Sequence, residues 1–92
     1  MYDYKSLEEK LKRVVSAVAP RLKEEDLREI NDLIDHHAEY GEAYDMLCHL
    51  VAQEQIAITP EIYQLIVELG KQMKLGEDVW TSIAPLIREG GV

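Results

Sequence analysis

LREINDLIDHHAEYGEAYDMLCHLV, from Leu27 to Val51, holds two apolar series with a break between them. Leu27, Ile30, Leu33, Ile34 and Ala38 recur at three- and four-residue intervals, and so do Ala43, Met46, Leu47, Leu50 and Val51. That is the period of a helix burying one face. Glu39-Tyr40-Gly41 interrupts the pattern, and Gly41 is expected to relieve the backbone at a helix C-terminus. The stretch therefore predicts two helices in a tight antiparallel pair, the first over about 23–38 with Glu24, Glu25 and Asp26 complementing the helix dipole.

The same period extends in both directions. Tyr4, Leu7, Leu11, Val14, Val15 and Val18 mark a first helix, with Ser6-Leu7-Glu8-Glu9 as a capping box at its start and Pro20 at its end. After the central pair, Ile56-Ala57-Ile58 reads as a short extended linker. Thr59 then caps a fourth helix and Pro60 occupies its first position. Ile62, Leu65, Ile66, Leu69 and Met73 form its buried stripe. Gly70 stands there as a weak point of about 1 kcal/mol against alanine, and Leu75-Gly76 ends the helix. Val79, Trp80 and Ile83, with Leu86 and Ile87, support a short last helix that Pro85 kinks or stops. The tail, Glu89-Gly90-Gly91-Val92, is expected to fray.

No segment alternates as a strand does. The expected fold is all-α, a compact bundle of about five short helices forming a single domain over residues 1–92, in orthogonal or up-and-down arrangement. A chain of 92 residues removes roughly 60 to 65% of its surface from water on folding, enough for one core. Asp32-Leu33-Ile34-Asp35-His36 and Asp45-Met46-Leu47-Cys48-His49 are alike, but two copies do not make a repeat.

Charge is concentrated in the middle of the chain. From Glu24 to Asp45 nine carboxylates stand against a single basic residue, Arg28, so this segment carries the whole formal charge of −8. Such a surface repels phosphate and attracts basic partners, which argues against direct binding to nucleic acid or to an anionic membrane. The N-terminal residues have no apolar signal region, no run approaches the roughly 20 apolar residues of a membrane span, and the single Cys48 suits a reducing compartment. A cytoplasmic location is expected.

Asp32 with His36, and Asp45 with His49, share the i, i+4 spacing that places both members on one helix face, so a metal site is one reading of these residues. All four fall opposite the apolar stripes, where solvent offers no supporting shell, so no metal and no cofactor is assigned. Cys48, at the edge of the buried stripe, reads as packing rather than as a nucleophile. His37 lies beside the core stripe, as a partly buried residue or a helix cap. Neither a catalytic triad, nor a glycine-rich phosphate loop, nor an HExxH pattern is present.

The remaining reading is a recognition face. Glu25, Glu29, Asp32, Asp35, His36 and Glu39 project from the second helix away from Ile30 and Ile34, and Glu42, Asp45 and His49 project from the third away from Leu47 and Leu50. Tyr40 adds an aromatic anchor of the kind found in binding hot spots, and Tyr44 is either a second anchor or half core. A face tuned only for solubility intersperses cations, and this one is almost single-signed. Homodimerisation is an alternative, with Ile56, Ile58, Val79 and Trp80 as the apolar candidates.

From Leu27 onward the order of features resembles the MafI family of immunity proteins, which protect bacteria from polymorphic toxins, including those of contact-dependent growth inhibition systems. The matching pieces are Leu33-Ile34 leading to Glu39-Tyr40-Gly41-Glu42-Ala43, then Leu47-Cys48 and Leu50. They continue with Ile56-Ala57-Ile58-Thr59-Pro60-Glu61-Ile62-Tyr63, the Leu69-Gly70 region with Met73 and Leu75, and Trp80 followed by Pro85-Leu86. The likeness covers roughly two-thirds of the chain. His36-His37 and the basic stretch Lys10-Leu11-Lys12-Arg13 depart from the family pattern. The resemblance implies a non-catalytic helical protein that neutralises the C-terminal domain of a cognate toxin, often a nuclease. A basic RNase or DNase cleft built to hold phosphates would be complementary to the acidic face.

Overall fold

Five α-helices carry the chain in the computed structural model, which describes residues 4–88. They are α1 (Tyr4–Val18), α2 (Glu24–Asp35), α3 (Tyr40–Gln53), α4 (Pro60–Gln72) and α5 (Asp78–Thr81), with single 3₁₀ turns at Ala19–Arg21 and Ala84–Leu86. The fold is all-α, and the described residues contain no strand, only an isolated parallel bridge between Ile58 and Ile87. That bridge ties the linker to the C-terminal segment, because Ile58 N–H donates to the Leu86 carbonyl at 3.1 Å and Arg88 N–H donates to the Ile58 carbonyl at 2.7 Å. The expected fraying of 89–92 lies outside the described residues.

The buried side chains join in one cluster drawn from every helix. α1 contributes Leu7, Leu11, Val14, Val15 and Val18, α2 contributes Ile30 and Ile34, α4 contributes Ile66 and Leu69, and the C-terminal segment adds Trp80, Ile83 and Leu86. α3 runs through the middle and buries Ala43, Tyr44, Leu47, Cys48, Leu50 and Val51. α1 packs on α4 and α3, α2 packs on α3, and α5 closes against α4 and α3. Each leucine or isoleucine taken fully out of water contributes on the order of 1.5–3 kcal/mol, so these stripes are what holds the bundle together. Tyr4 departs from the expected stripe: it is 60% exposed.

Helix ends differ most from expectation. Ser6 lies inside α1, so it does not cap that helix. α2 stops at Asp35, and the reversal into α3 places Ala38, not Gly41, in the left-handed region with φ 50°. Gly41 sits in the first turn of α3 instead, with nothing within 4 Å of where its Cβ would be. α3 and α4 both end in Schellman turns whose left-handed residues are Gln55 (φ 52°) and Lys74 (φ 59°). Ile56 N–H reaches the Val51 carbonyl at 3.0 Å and Leu75 N–H reaches the Gly70 carbonyl at 2.8 Å. Thr59 and Pro60 behave as expected, with the Thr59 hydroxyl accepting from Ile62 N–H at 3.2 Å.

Gly70 is a packing requirement rather than a weak point. A Cβ there would collide with the Trp80 ring and come within 2.8 Å of the Tyr44 hydroxyl. Ile56, Ile58 and Trp80 are themselves buried in the core, which removes them from any homodimer interface and leaves only Val79 of that set partly accessible. Among the described residues no helix is long and apolar enough to cross a membrane.

Candidate functional site

The charged segment folds as α2, the turn His36–Glu39 and the N-terminal half of α3. Burial of Ile30 and Ile34 on one side and Ala43, Leu47 and Leu50 on the other turns the remaining positions outward. Glu25, Glu29, Asp32, Asp35, His36, Glu39, Glu42, Asp45 and His49 are all exposed, while Tyr40 is half-buried.

Several of these groups are already engaged. Lys12 Nζ of α1 approaches Asp35 Oδ1 at 2.6 Å, and Arg28 approaches Glu24 at 3.3 Å within α2. The hydrogen bond to Asp35 pushes the Lys12 ammonium above the ordinary lysine range. His37 Nε2 lies 3.4 Å from Asp32 Oδ2 and His36 Nε2 lies 4.0 Å from Asp32 Oδ1, so His37 is a solvent-exposed neighbour of Asp32 and not a core histidine. Among the described residues no cation lies within ion-pair distance of Glu25, Asp26, Glu29, Glu39, Glu42 or Asp45. The face is therefore less single-signed in space than along the chain, because Lys12 comes to it from a distant helix.

Tyr40 is tied to α1. Its hydroxyl donates to Glu8 Oε1 at 3.0 Å, which pushes the phenol above its ordinary range, and its ring stands 6.1 Å from that of Tyr4. Tyr44, by contrast, is 0% exposed and belongs to the core, where its hydroxyl donates to the Ile66 carbonyl of α4 at 2.7 Å. It is no surface anchor. Burial raises its phenol far above the ordinary range and pushes the neighbouring Cys48 thiol up to about 12. A thiol so hidden and so weakly acidic is packing material and not a nucleophile.

The surface relief divides the candidate residues. Glu42, Asp45 and His49 edge an open groove of about 450 Å³ between α3 and α5, with Met46, Val79 and Ser82 among its walls. Glu39 and Tyr40 line a second depression with Tyr4 and Met73, and Glu25 a third with Lys23 and Arg28. Ser82 is not legible in the sequence as a site residue, and Val79 reads there only as an apolar homodimer candidate, since both are remote in sequence from the acids and carry no charge. The basic stretch Lys10–Arg13 was a visible signal for the Lys12 contact, though its spacing does not say which acid it meets.

Among the described residues no group of three or more His, Cys, Asp and Glu side chains is placed to hold a metal ion. Asp32 does meet His36 at the distance given above. Asp45 and His49 form no ion pair with one another among the described contacts. What the arrangement offers is negative charge displayed on helices, beside one shallow groove with mainly apolar walls between α3 and α5. Comparisons with protein-family models, with curated proteins and with solved structures yield no match for this chain.

Proposed function

We propose that this chain is a MafI-like immunity protein that binds the C-terminal domain of a cognate bacterial toxin, a basic nuclease, and neutralises it in the cytoplasm without catalysis. The observation that carries the reading is the set of exposed carboxylates Glu25, Glu29, Glu39, Glu42 and Asp45 on α2, α3 and their turn, which meet no cation among the described residues. Each like charge held near another raises the energy of the free protein, and a cationic counterpart removes that repulsion on docking. The resemblance from Leu33-Ile34 through Glu39-Tyr40-Gly41 to Ile58-Thr59-Pro60 supports the choice of partner class.

Mechanistically, a nuclease cleft gathers cations to hold phosphates, and a lattice of carboxylates on helices takes the place of that backbone charge. The helices fix the backbone that carries the carboxylates, so the ordering left for binding is that of the exposed side chains themselves. Long-range attraction steers the encounter, giving association rates up to about 10⁸ M⁻¹s⁻¹ at low salt. Co-expression with the toxin encoded immediately upstream tests the role. Survival of cells that otherwise die is the expected result, and continued death despite soluble, folded protein refutes it.

A further inference from the structure

The groove between α3 and α5 has a composition that the charge pattern alone does not predict. Glu42 and Asp45, three residues apart on α3, stand at its edge, and neither meets a cation among the described residues. Met46, Ala52 and Val79 supply apolar surface beside them, with Ser82 on the α5 side. Among the described residues no Lys or Arg lines it; His49 shares the α3 edge with the two acids, and Cys48 is neutral because burial pushes its thiol up to about 12. Ser82 Oγ donates its proton to the Val79 carbonyl at 3.2 Å, which leaves its lone pairs free to accept.

We propose that this groove is the seat of an arginine side chain from the basic partner, its guanidinium held by Glu42 and Asp45 and its methylene stem lying on Met46, Ala52 and Val79. The identity of the partner rests on the function proposed above; the chemistry of the groove stands apart from it. Arginine fits better than lysine for two physical reasons. A planar fork of five donors spans two carboxylates and a hydroxyl at once, whereas an ammonium is a point charge. Guanidinium is also more weakly hydrated, so less is lost when it leaves water for a partly apolar groove. An anionic or phosphate-bearing occupant is disfavoured by the same two carboxylates.

The test uses the purified full chain and n-butylguanidinium as the probe, followed by methyl and amide NMR. The expected result is a saturable shift confined to Met46, Ala52, Val79, Ser82 and their neighbours, with a Kd on the order of millimolar. E42Q/D45N is expected to weaken binding by about fivefold, and S82K, which sets a competing cation on the rim, by a similar factor. E61Q/E68Q removes the same charge from exposed positions of α4, outside the acidic face, and leaves binding unchanged. Equal weakening by both double variants, shifts spread over all acidic positions, or equally tight n-butylammonium binding overturns the assignment. Because no toxin enters the titration, an inert groove and a failed co-expression trial are separate outcomes.

Discussion

The ring of Trp80 lies across Gly70, so close that the smallest side chain at that position has no room. This contact joins α5 to α4 and brings both against Tyr44 of α3. Helix propensity alone favours alanine over glycine by about 1 kcal/mol. Overpacking a buried position costs about 1–3 kcal/mol, and here the obstruction is a ring rather than a flexible chain end. Gly70→Ala is therefore expected to lower unfolding free energy in urea by about 1–2 kcal/mol, and a gain in stability contradicts the packing account.

The turn between α2 and α3 supports a paired prediction. Ala38 adopts φ 50°, a conformation costly for a residue with a Cβ, while Gly41 spends glycine's freedom inside a helix with open space around it. Ala38→Gly and Gly41→Ala are each expected to stabilise by about 0.5–1 kcal/mol, read as higher urea midpoints at unchanged slope. Loss of stability in both shows that the turn has another geometry.

Tyr44→Phe removes a buried hydroxyl that donates to the Ile66 carbonyl at 2.7 Å. A net cost of about 1 kcal/mol follows for a bond of this kind, and thermal melting reads it. An unchanged melt means that the hydroxyl contributes no net stability.

Alkaline pH separates native from unfolded protein through the same pair. The folded state raises Tyr44 above the ordinary phenol range and Cys48 up to about 12, both by burial, so both stay protonated when the unfolded chain has already lost those protons. The unfolded state then binds fewer protons, and stability falls with pH. Their stabilising contribution is full below the unfolded values of about 8.5 for the thiol and 10 for the phenol, and it is lost as pH rises towards the folded ones. Urea melts from pH 8 to 11 are expected to show this decline. It should be shallower in a Tyr44→Phe/Cys48→Ala variant, and equal slopes contradict it.

How much of this was legible in the sequence follows from what sets each feature. Helix stripes such as Leu7-Leu11-Val14-Val18 and Ile30-Ile34 are local periodicities, and burial follows them. The Thr59-Pro60 start is local chemistry as well. In the sequence Gly70 reads as a weak point, Tyr44 stands between anchor and core, and Trp80 reads as an interface residue, because their roles are set by one another across three helices. Ala38 was missed because glycine is the usual left-handed residue and Gly41 stood close by. The exposure of the acidic positions was readable from the wheel of each helix. The pairing of Lys12 with Asp35, and the wall that Val79 and Ser82 give to Glu42 and Asp45, depend on how distant segments meet.

The most direct trial of the acidic face is the association rate with the proposed toxin partner, measured across ionic strengths for the native protein and for D32K/D45K. Steered docking predicts a native rate that falls steeply with salt and a rate at least about tenfold lower in the variant at low salt, with dissociation and melting temperature little changed. Equal rates for the two proteins at every ionic strength, with binding intact, place the contact away from α2 and α3 and contradict the mechanism.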